Sequence, residues 1–249
     1  MTQAHSAQPE LIDILSFLAG KFKGNAFLDY LCRWQFIVYA LVAAFILILF
    51  AYFSTRKISC IPNKLQSLAE ILVEGLDNFI CGILGPSGRK YTPFIGTLFL
   101  YIFLMNALGL IPFMKSATAS WSTTLALGIC VFCYVQYTAV KQMGFVGYLD
   151  HLAGKPRGIL AISVVLPVMM LLLHIVSEFI KPISLSLRLR SNIWGDEVLF
   201  GVLGGFGLSG LPLFVINIFA GLLTAVIQAI VFCLLSTIYF ALVLTHEEK

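Results

Sequence analysis

The stretch from Ser177 to Val198, SEFIKPISLSLRLRSNIWGDEV, decides how this chain folds. Six of its 22 residues are charged: Glu178, Lys181, Arg188, Arg190, Asp196 and Glu197. On either side, Gly158–Ser177 and Val198–Thr245 run for 20 and 48 residues without Asp, Glu, Lys or Arg. Charge placed between two such runs is either a polar connection between membrane helices or a functional group held within one.

Outward from there, three more charge-free runs follow Arg33: Trp34–Thr55 (22 residues), Tyr91–Met114 (24) and Ser116–Val140 (25). A helix needs about 20 apolar residues to cross a hydrocarbon core roughly 30 Å thick. The chain is 59% hydrophobic and 11% charged, against about 25% charged for a soluble domain. In lipid the backbone must satisfy its own hydrogen bonds, which a helix does within one segment. The expected class is therefore an all-α polytopic membrane protein with about five membrane helices and an amphipathic surface helix.

Chain 1–249 reads as a single membrane domain. The expected order is an external N-terminal segment (1–33), a span (34–55), an amphipathic surface helix (62–84), two spans (93–113 and 120–141), a long tilted charged helix (158–205) and a C-terminal helix (211–245). In the amphipathic segment, Leu65, Leu68, Leu72, Leu76, Phe79, Ile80 and Ile83 recur at helical spacing, with Lys64, Glu70, Glu74 and Asp77 opposite. That pattern suits a helix lying on the membrane or packed on a partner. Asn106 is the one strongly polar residue of its span. Ser120, Ser122, Thr123 and Thr124 begin the next, where they serve either interhelical hydrogen bonds or a hydrated cavity.

Five Lys and Arg lie in Arg56–Lys90 and three in Lys141–Arg157, whereas the connection between the second and third runs has only Lys115. Basic loops stay in the cytoplasm, which puts the N-terminus outside and the C-terminus inside. A bacterial inner membrane is the expected home. No cleavable signal is expected, because the first 20 residues lack a basic start and Asp13 interrupts the apolar stretch.

Two motif matches fail on context. Cys130-Val131-Phe132-Cys133 lies inside an apolar run, where the thiolate that redox chemistry needs is disfavoured. Gly205-Phe206-Gly207-Leu208-Ser209-Gly210 has no acidic residue after it up to Thr245, as a dinucleotide site would require. Those glycines fit a break between two membrane helices.

If the charged stretch is helical, about 100° per residue sets its faces. Taking Glu178 as zero, His174, Lys181, Arg188, Asn192 and Asp196 fall within about 90° of one another, together with Leu185. Arg190 and Glu197 fall on another flank. The alternative, a polar loop joining two spans, stays open because Lys181-Pro182 also suits a helix end. An Arg near the bilayer centre costs on the order of 2.5–3.5 kcal/mol and cannot shed its proton, so an intramembrane Arg points to function. His174 and Glu178 lie at i and i+4, but no second His completes a metal-binding H-E-x-x-H motif. His174 reads as a hydrated lining position or a core histidine.

Three segments together resemble one family. ISLSLRLRSN (Ile183–Asn192) is similar to the signature of subunit a of the F-type ATP synthase, the static ion-channel subunit of its membrane sector. FLMNALGLIP (Phe103–Pro112) and QAIVFCLLSTIYFALVLTHEE (Gln228–Glu248) resemble its Asn-containing span and its last helix. The likeness covers about residues 55–249.

The resemblance implies a stator that gives two aqueous half-channels to carboxylates on a ring of c subunits. Arg188 would then be the essential coupling Arg facing the ring. Glu178, Asn192, Glu197, Gln228, Asp196 and His174 would belong to the proton path, and Arg190, Lys181 and Asn106 to structure or charge compensation. Implied partners are the c-ring, peripheral-stalk b subunits, the rest of the synthase and lipid, with no nucleic acid. Implied too is a non-catalytic subunit with no cofactor, metal or nucleotide site of its own.

The chain departs from the family pattern in three places. The usual Arg-Leu-Phe-Gly-Asn reads Arg188-Leu189-Arg190-Ser191-Asn192, Asp196 adds an acid before Glu197, and Gly221 stands where the family has a second-channel His. Arg190 is expected to pair with Glu197 or Asp196. A secondary ion-coupled transporter with an intramembrane Arg and acids is the competing function, although no internal repeat relates the two halves.

Overall fold

A computed structural model describes residues 34–56, 63–111, 114, 116–152, 162–206 and 210–244. The N-terminal segment 1–33 lies outside the described residues, as do Lys57, Lys155 and Arg157. Every regular element among the described residues is a helix: α1 (Gln35–Thr55), α2 (Lys64–Leu84), a 3₁₀ turn (Pro86–Lys90), α3 (Thr92–Gly109), a second 3₁₀ turn (Ala117–Ala119), α4 (Trp121–Leu152), α5 (Ile162–Gly204) and α6 (Leu211–Leu244).

Four of these are long and apolar enough to cross a membrane: α1, α3, α4 over Trp121–Gln142 and α6 over Pro212–Val243. Their apolar side chains largely face outward, with Leu41 64% and Phe219 72% exposed. A chain that turns Leu and Phe away from its own core uses them against lipid or partner helices. α5 is the exception, with its charges inside one helix of 43 residues. At 1.5 Å per residue it rises about 64 Å, twice the hydrocarbon core, so it crosses steeply tilted or reaches well beyond that core.

Local sequence explains the breaks. Gly85 ends α2 at φ 72, a left-handed cap that glycine adopts without strain. Pro93 stands in the first turn of α3, where its missing N–H leaves no bond unmade. Gly144, at φ 71 and ψ 160, kinks α4 beyond its apolar part. Pro182 does not end α5: the helix runs through Lys181-Pro182 without interruption. The polar-loop alternative for this stretch is thereby set aside.

α4 packs most extensively on α5, and α3 on α6, which also touches α2, α4 and α5. Ile95, Ile102, Met105, Val131, Leu189, Phe232 and Phe240 form the buried centre. Phe240 stacks on Tyr91 at 4.8 Å between ring centres and meets Tyr134 at 5.5 Å, while Phe94 lies 4.3 Å from Tyr134. This aromatic knot joins the start of α3 to α4 and α6. The second 3₁₀ turn is pinned by Asn106: Thr118 donates to its Oδ1 at 2.8 Å, and the Ser116 hydroxyl shares its one proton between Thr118 Oγ1 at 2.6 Å and the Met105 carbonyl at 3.2 Å.

The amphipathic helix α2 differs in detail from its sequence pattern. Leu65 and Leu68 are about half exposed while the polar Gln66 is buried, its amide donating to Glu70 at 2.8 Å. The apolar stripe therefore faces away from the rest of the chain near the start of the helix. Toward its end Asp77 accepts hydrogen bonds from Thr92 (2.8 Å), Arg89 (3.0 Å) and Cys81 (3.7 Å), tying α2 to the head of α3. Thr92 first, then Arg89, hold the Asp77 carboxyl below its ordinary value of 3.8.

Candidate functional site

α5 supplies most of the charged candidates, and its rotation about its own axis sorts them. Leu185, Ser186, Leu189 and Ile193 are buried, so the sector they define faces the bundle. Arg188, Ser184, Leu187 and Ser191 are exposed. Arg188 thus stands on the outer surface of α5, directed to whatever occupies the space beside the chain.

What holds α5 in that rotation is close packing on α4. Gly128 is buried, and a Cβ there would stand 2.8 Å from both the Pro182 carbonyl oxygen and Ser186 Oγ. Only a glycine lets the two backbones approach so closely. Ser186 Oγ donates to the Pro182 carbonyl at 2.7 Å and to the Thr124 carbonyl of α4 at 3.1 Å. Toward the other end, Arg190 lays its guanidinium over the Trp121 ring, 4.9 Å from its centre. This ring is one group the structure places against Arg190. The guanidinium and the Trp face attract through the ring quadrupole.

Two polar pairs lie on either side of Arg188 along α5. On the side toward the start of the helix, Glu178 is bonded to Lys181 one turn on and accepts the Gln136 amide of α4 at 2.9 Å. Lys181 also lies over the Tyr239 ring of α6 at 5.1 Å. Glu178 and Lys181 line a small cavity with Gly128, Phe132, Leu185 and Tyr239. On the other side, the exposed Asn192 donates through Nδ2 to Oε1 of the buried Gln228 on α6 at 2.7 Å. That bond orients the amides of two helices beside Arg188.

The remaining candidates spread further. His174 stands one turn before Glu178, half buried. Asp196 and Glu197 are half buried one turn beyond Asn192. Asn106 is fully buried in α3, at the 3₁₀ turn and away from the α5 surface. Gly221, where the resemblance expects a His, is buried against Leu110: a Cβ there would come within 2.4 Å of Leu110 Cδ2. The structure therefore gathers Glu178, Lys181, Arg188, Asn192 and Gln228 along the α5–α6 side and leaves Asn106 in a structural role.

Sequence reasoning missed Gln136, Tyr239, Trp121 and Gly128. Gln136 had a legible signal, as a lone amide inside a charge-free run. Trp121, Tyr239 and Gly128 had none, since an aromatic or a glycine in an apolar helix looks the same whether or not a cation or a backbone lies against it.

Fold and site together define a multi-pass, all-helical membrane protein that carries a fixed cation on the outer face of its long charged helix, flanked by hydrogen-bonded polar pairs. Comparison with known proteins agrees. The family model described as ATP synthase A chain matches residues 37–241. ATP synthase subunit a of Protochlamydia amoebophila (strain UWE25) is 41% identical, over 96% of this chain and 91% of its own length. The subunits a of Desulfotalea psychrophila (strain LSv54 / DSM 12343) and Sulfurihydrogenibium sp. (strain YO3AOP1) are 35% and 33% identical over 90% and 86% of this chain, covering 90% and 99% of their own lengths. The chain belongs to the ATP synthase A chain family, and so to the membrane machinery of ATP synthesis and ion transport.

Proposed function

We propose that this chain is the ion-translocating stator of a rotary ATP synthase, with Arg188 as its coupling residue. The observation that carries the reading is the exposure of Arg188 on α5 while Leu185 and Leu189, one turn back and one residue on, are buried. Among the described residues the Arg188 guanidinium makes no hydrogen bond or ion pair, so a membrane carboxylate on a neighbouring subunit fits it as the group that offsets its desolvation. A ring of c subunits would bring such carboxylates one at a time.

The mechanism is electrostatic. An arriving protonated carboxyl loses its proton as it nears the Arg188 guanidinium, because the nearby cation favours the ionised form. The cation also bars a hydronium from passing straight between the two half-channels. Asp196, Glu197, Asn192 and Gln228 line the half-channel toward the α5–α6 turn, and His174 and Glu178 the one toward the start of α5. Lys181, Arg190 and Asn106 keep structural roles. Each proton crossing 100 mV supplies about 2.3 kcal/mol, so several cross for each ATP made on another part of the complex.

The N-terminus would lie outside a bacterial inner membrane and the C-terminus in the cytoplasm, with b subunits and lipid against the outward apolar faces of the other helices. The deciding experiment is ATP-driven proton pumping in membranes carrying Arg188→Ala, with assembly checked by affinity purification. Loss of pumping in an assembled complex supports the coupling role. Normal pumping by that complex overturns it. A chain that purifies alone and moves a solute in liposomes would instead be a secondary transporter.

A further inference from the structure

Asn217 of α6 is 5% exposed, and its Nδ2 is buried with no hydrogen-bond partner among the described residues. A buried amide donor left unmade is costly, and in native proteins such a group is commonly satisfied by an ordered water. Its place along the α5–α6 seam says what that water would serve. The two helices run antiparallel, with Asn192 bonded to Gln228 at 2.7 Å and Phe200 against Phe214 at 5.2 Å between ring centres. Between those two contacts, Glu197 stands at a level between roughly Asn217 and Leu223, on uniform helical rise counted from either contact. Leu110 fills the space at Gly221, one turn from Asn217, leaving no room for a side chain there. Asn217 and Thr224 are the polar side chains of α6 that bracket this level, and Asn217 is the buried one with an unmade donor.

We infer that Asn217 binds a water through Nδ2 and lines the outer end of the half-channel that contains Glu197, which makes it a channel residue of this chain. This rests on the half-channel reading given above. An amide carries no proton of its own at neutral pH, so its part is to hold water in line. From the α5–α6 turn inward the order is Asn217, Glu197, the Asn192–Gln228 pair and Arg188.

The test compares Asn217→Leu, Asn217→Gln and Asn217→Cys in the whole synthase, beside Arg188→Ala. Asn217→Leu removes the donor and is expected to lower passive proton conduction through F1-stripped membranes at least about threefold, the order set by losing one bridging water. Asn217→Gln keeps the donor and should retain most of the conduction. Asn217→Cys should make pumping sensitive to Ag⁺ beyond the parent chain, which has six cysteines of its own, because Ag⁺ reaches only thiols that water reaches. Full conduction by an assembled Leu variant, or a Cys variant no more Ag⁺-sensitive than the parent, overturns the inference. If the Leu variant fails to assemble, the Cys variant decides. If Arg188→Ala pumps normally, the stator reading falls by itself, while Ag⁺ still reports whether water reaches Asn217.

Discussion

Arg188 and Arg190 sit two residues apart on one helix and have opposite surroundings. Arg188 is exposed on the outer face, whereas Arg190 lies over Trp121 of α4 on the inner flank. Two residues turn a helix by about 200°, so neighbours of identical chemistry meet opposite environments. A cation with a protein partner is part of the scaffold; a cation without one is available to another molecule. The inner flank, with Gly128, Ser186 and Trp121, fixes the rotation of α5 and so decides which arginine is presented.

The sharpest way to break this contrast is to make the same substitution on each face. Arg188→Lys should lower ATP-driven pumping at least about tenfold, since a lysine can give up its proton in a low-dielectric setting and lacks the planar fork. Arg190→Lys should keep most of the pumping. Equal losses from both would show that the two faces are not distinct.

Next in size is the inner packing. Gly128→Ala places a Cβ against backbone and hydroxyl of α5 and should destabilise the α4–α5 contact by about 1–3 kcal/mol. Thermal aggregation of the purified complex reads this directly. An unchanged profile would mean that Gly128 does not set the distance between the helices.

Breaking the Asn192–Gln228 bond on the outer side is expected to cost about 1 kcal/mol. A double-mutant cycle with Asn192→Leu and Gln228→Leu should give non-additive effects on pumping; strict additivity would mean that the two amides act separately. A weaker coupling, about 0.5–1 kcal/mol for an exposed cation–π pair, is expected between Arg190→Leu and Trp121→Leu in assembly yield. If Arg190→Glu is rescued by Glu197→Arg instead, Arg190 is paired with acid and Trp121 is incidental.

The smallest effect lies away from α5 altogether. Asp77 has a folded pKa held below its ordinary 3.8 by Thr92 and Arg89. A depressed carboxylate contributes stability above its unfolded value that is lost as pH falls through the folded one. The attachment of α2 should therefore weaken only below about pH 3.8, and Asp77→Asn should remove that acid dependence. Limited proteolysis between α1 and α3 across pH follows it, with pumping at neutral pH as the control.

Much of this was legible in the residues. The charge-free runs announced a helical membrane protein, and the shared phase of His174, Glu178, Lys181, Arg188 and Asn192 pointed to a helix. Whether that helix passed Lys181-Pro182 was not legible, because Pro182 removes only its own N–H from the ladder and neighbouring helices decide whether the chain continues. The ring beside Arg190 was not legible for a related reason: Trp121 lies 69 residues earlier, outside any local pattern. Gly221 showed its missing side chain but not Leu110, which fills the space.

By itself, then, the sequence determined the membrane class, the count of charges between the two long apolar runs and the angles between them, because hydrophobic run length and helical period are local properties. Only the tertiary structure decided which sector of α5 faces α4 and which faces out. Periodicity sets the angle from Arg188 to Arg190, but the zero of that angle comes from the close contact of Gly128 with Pro182 and Ser186, residues that only folding brings together.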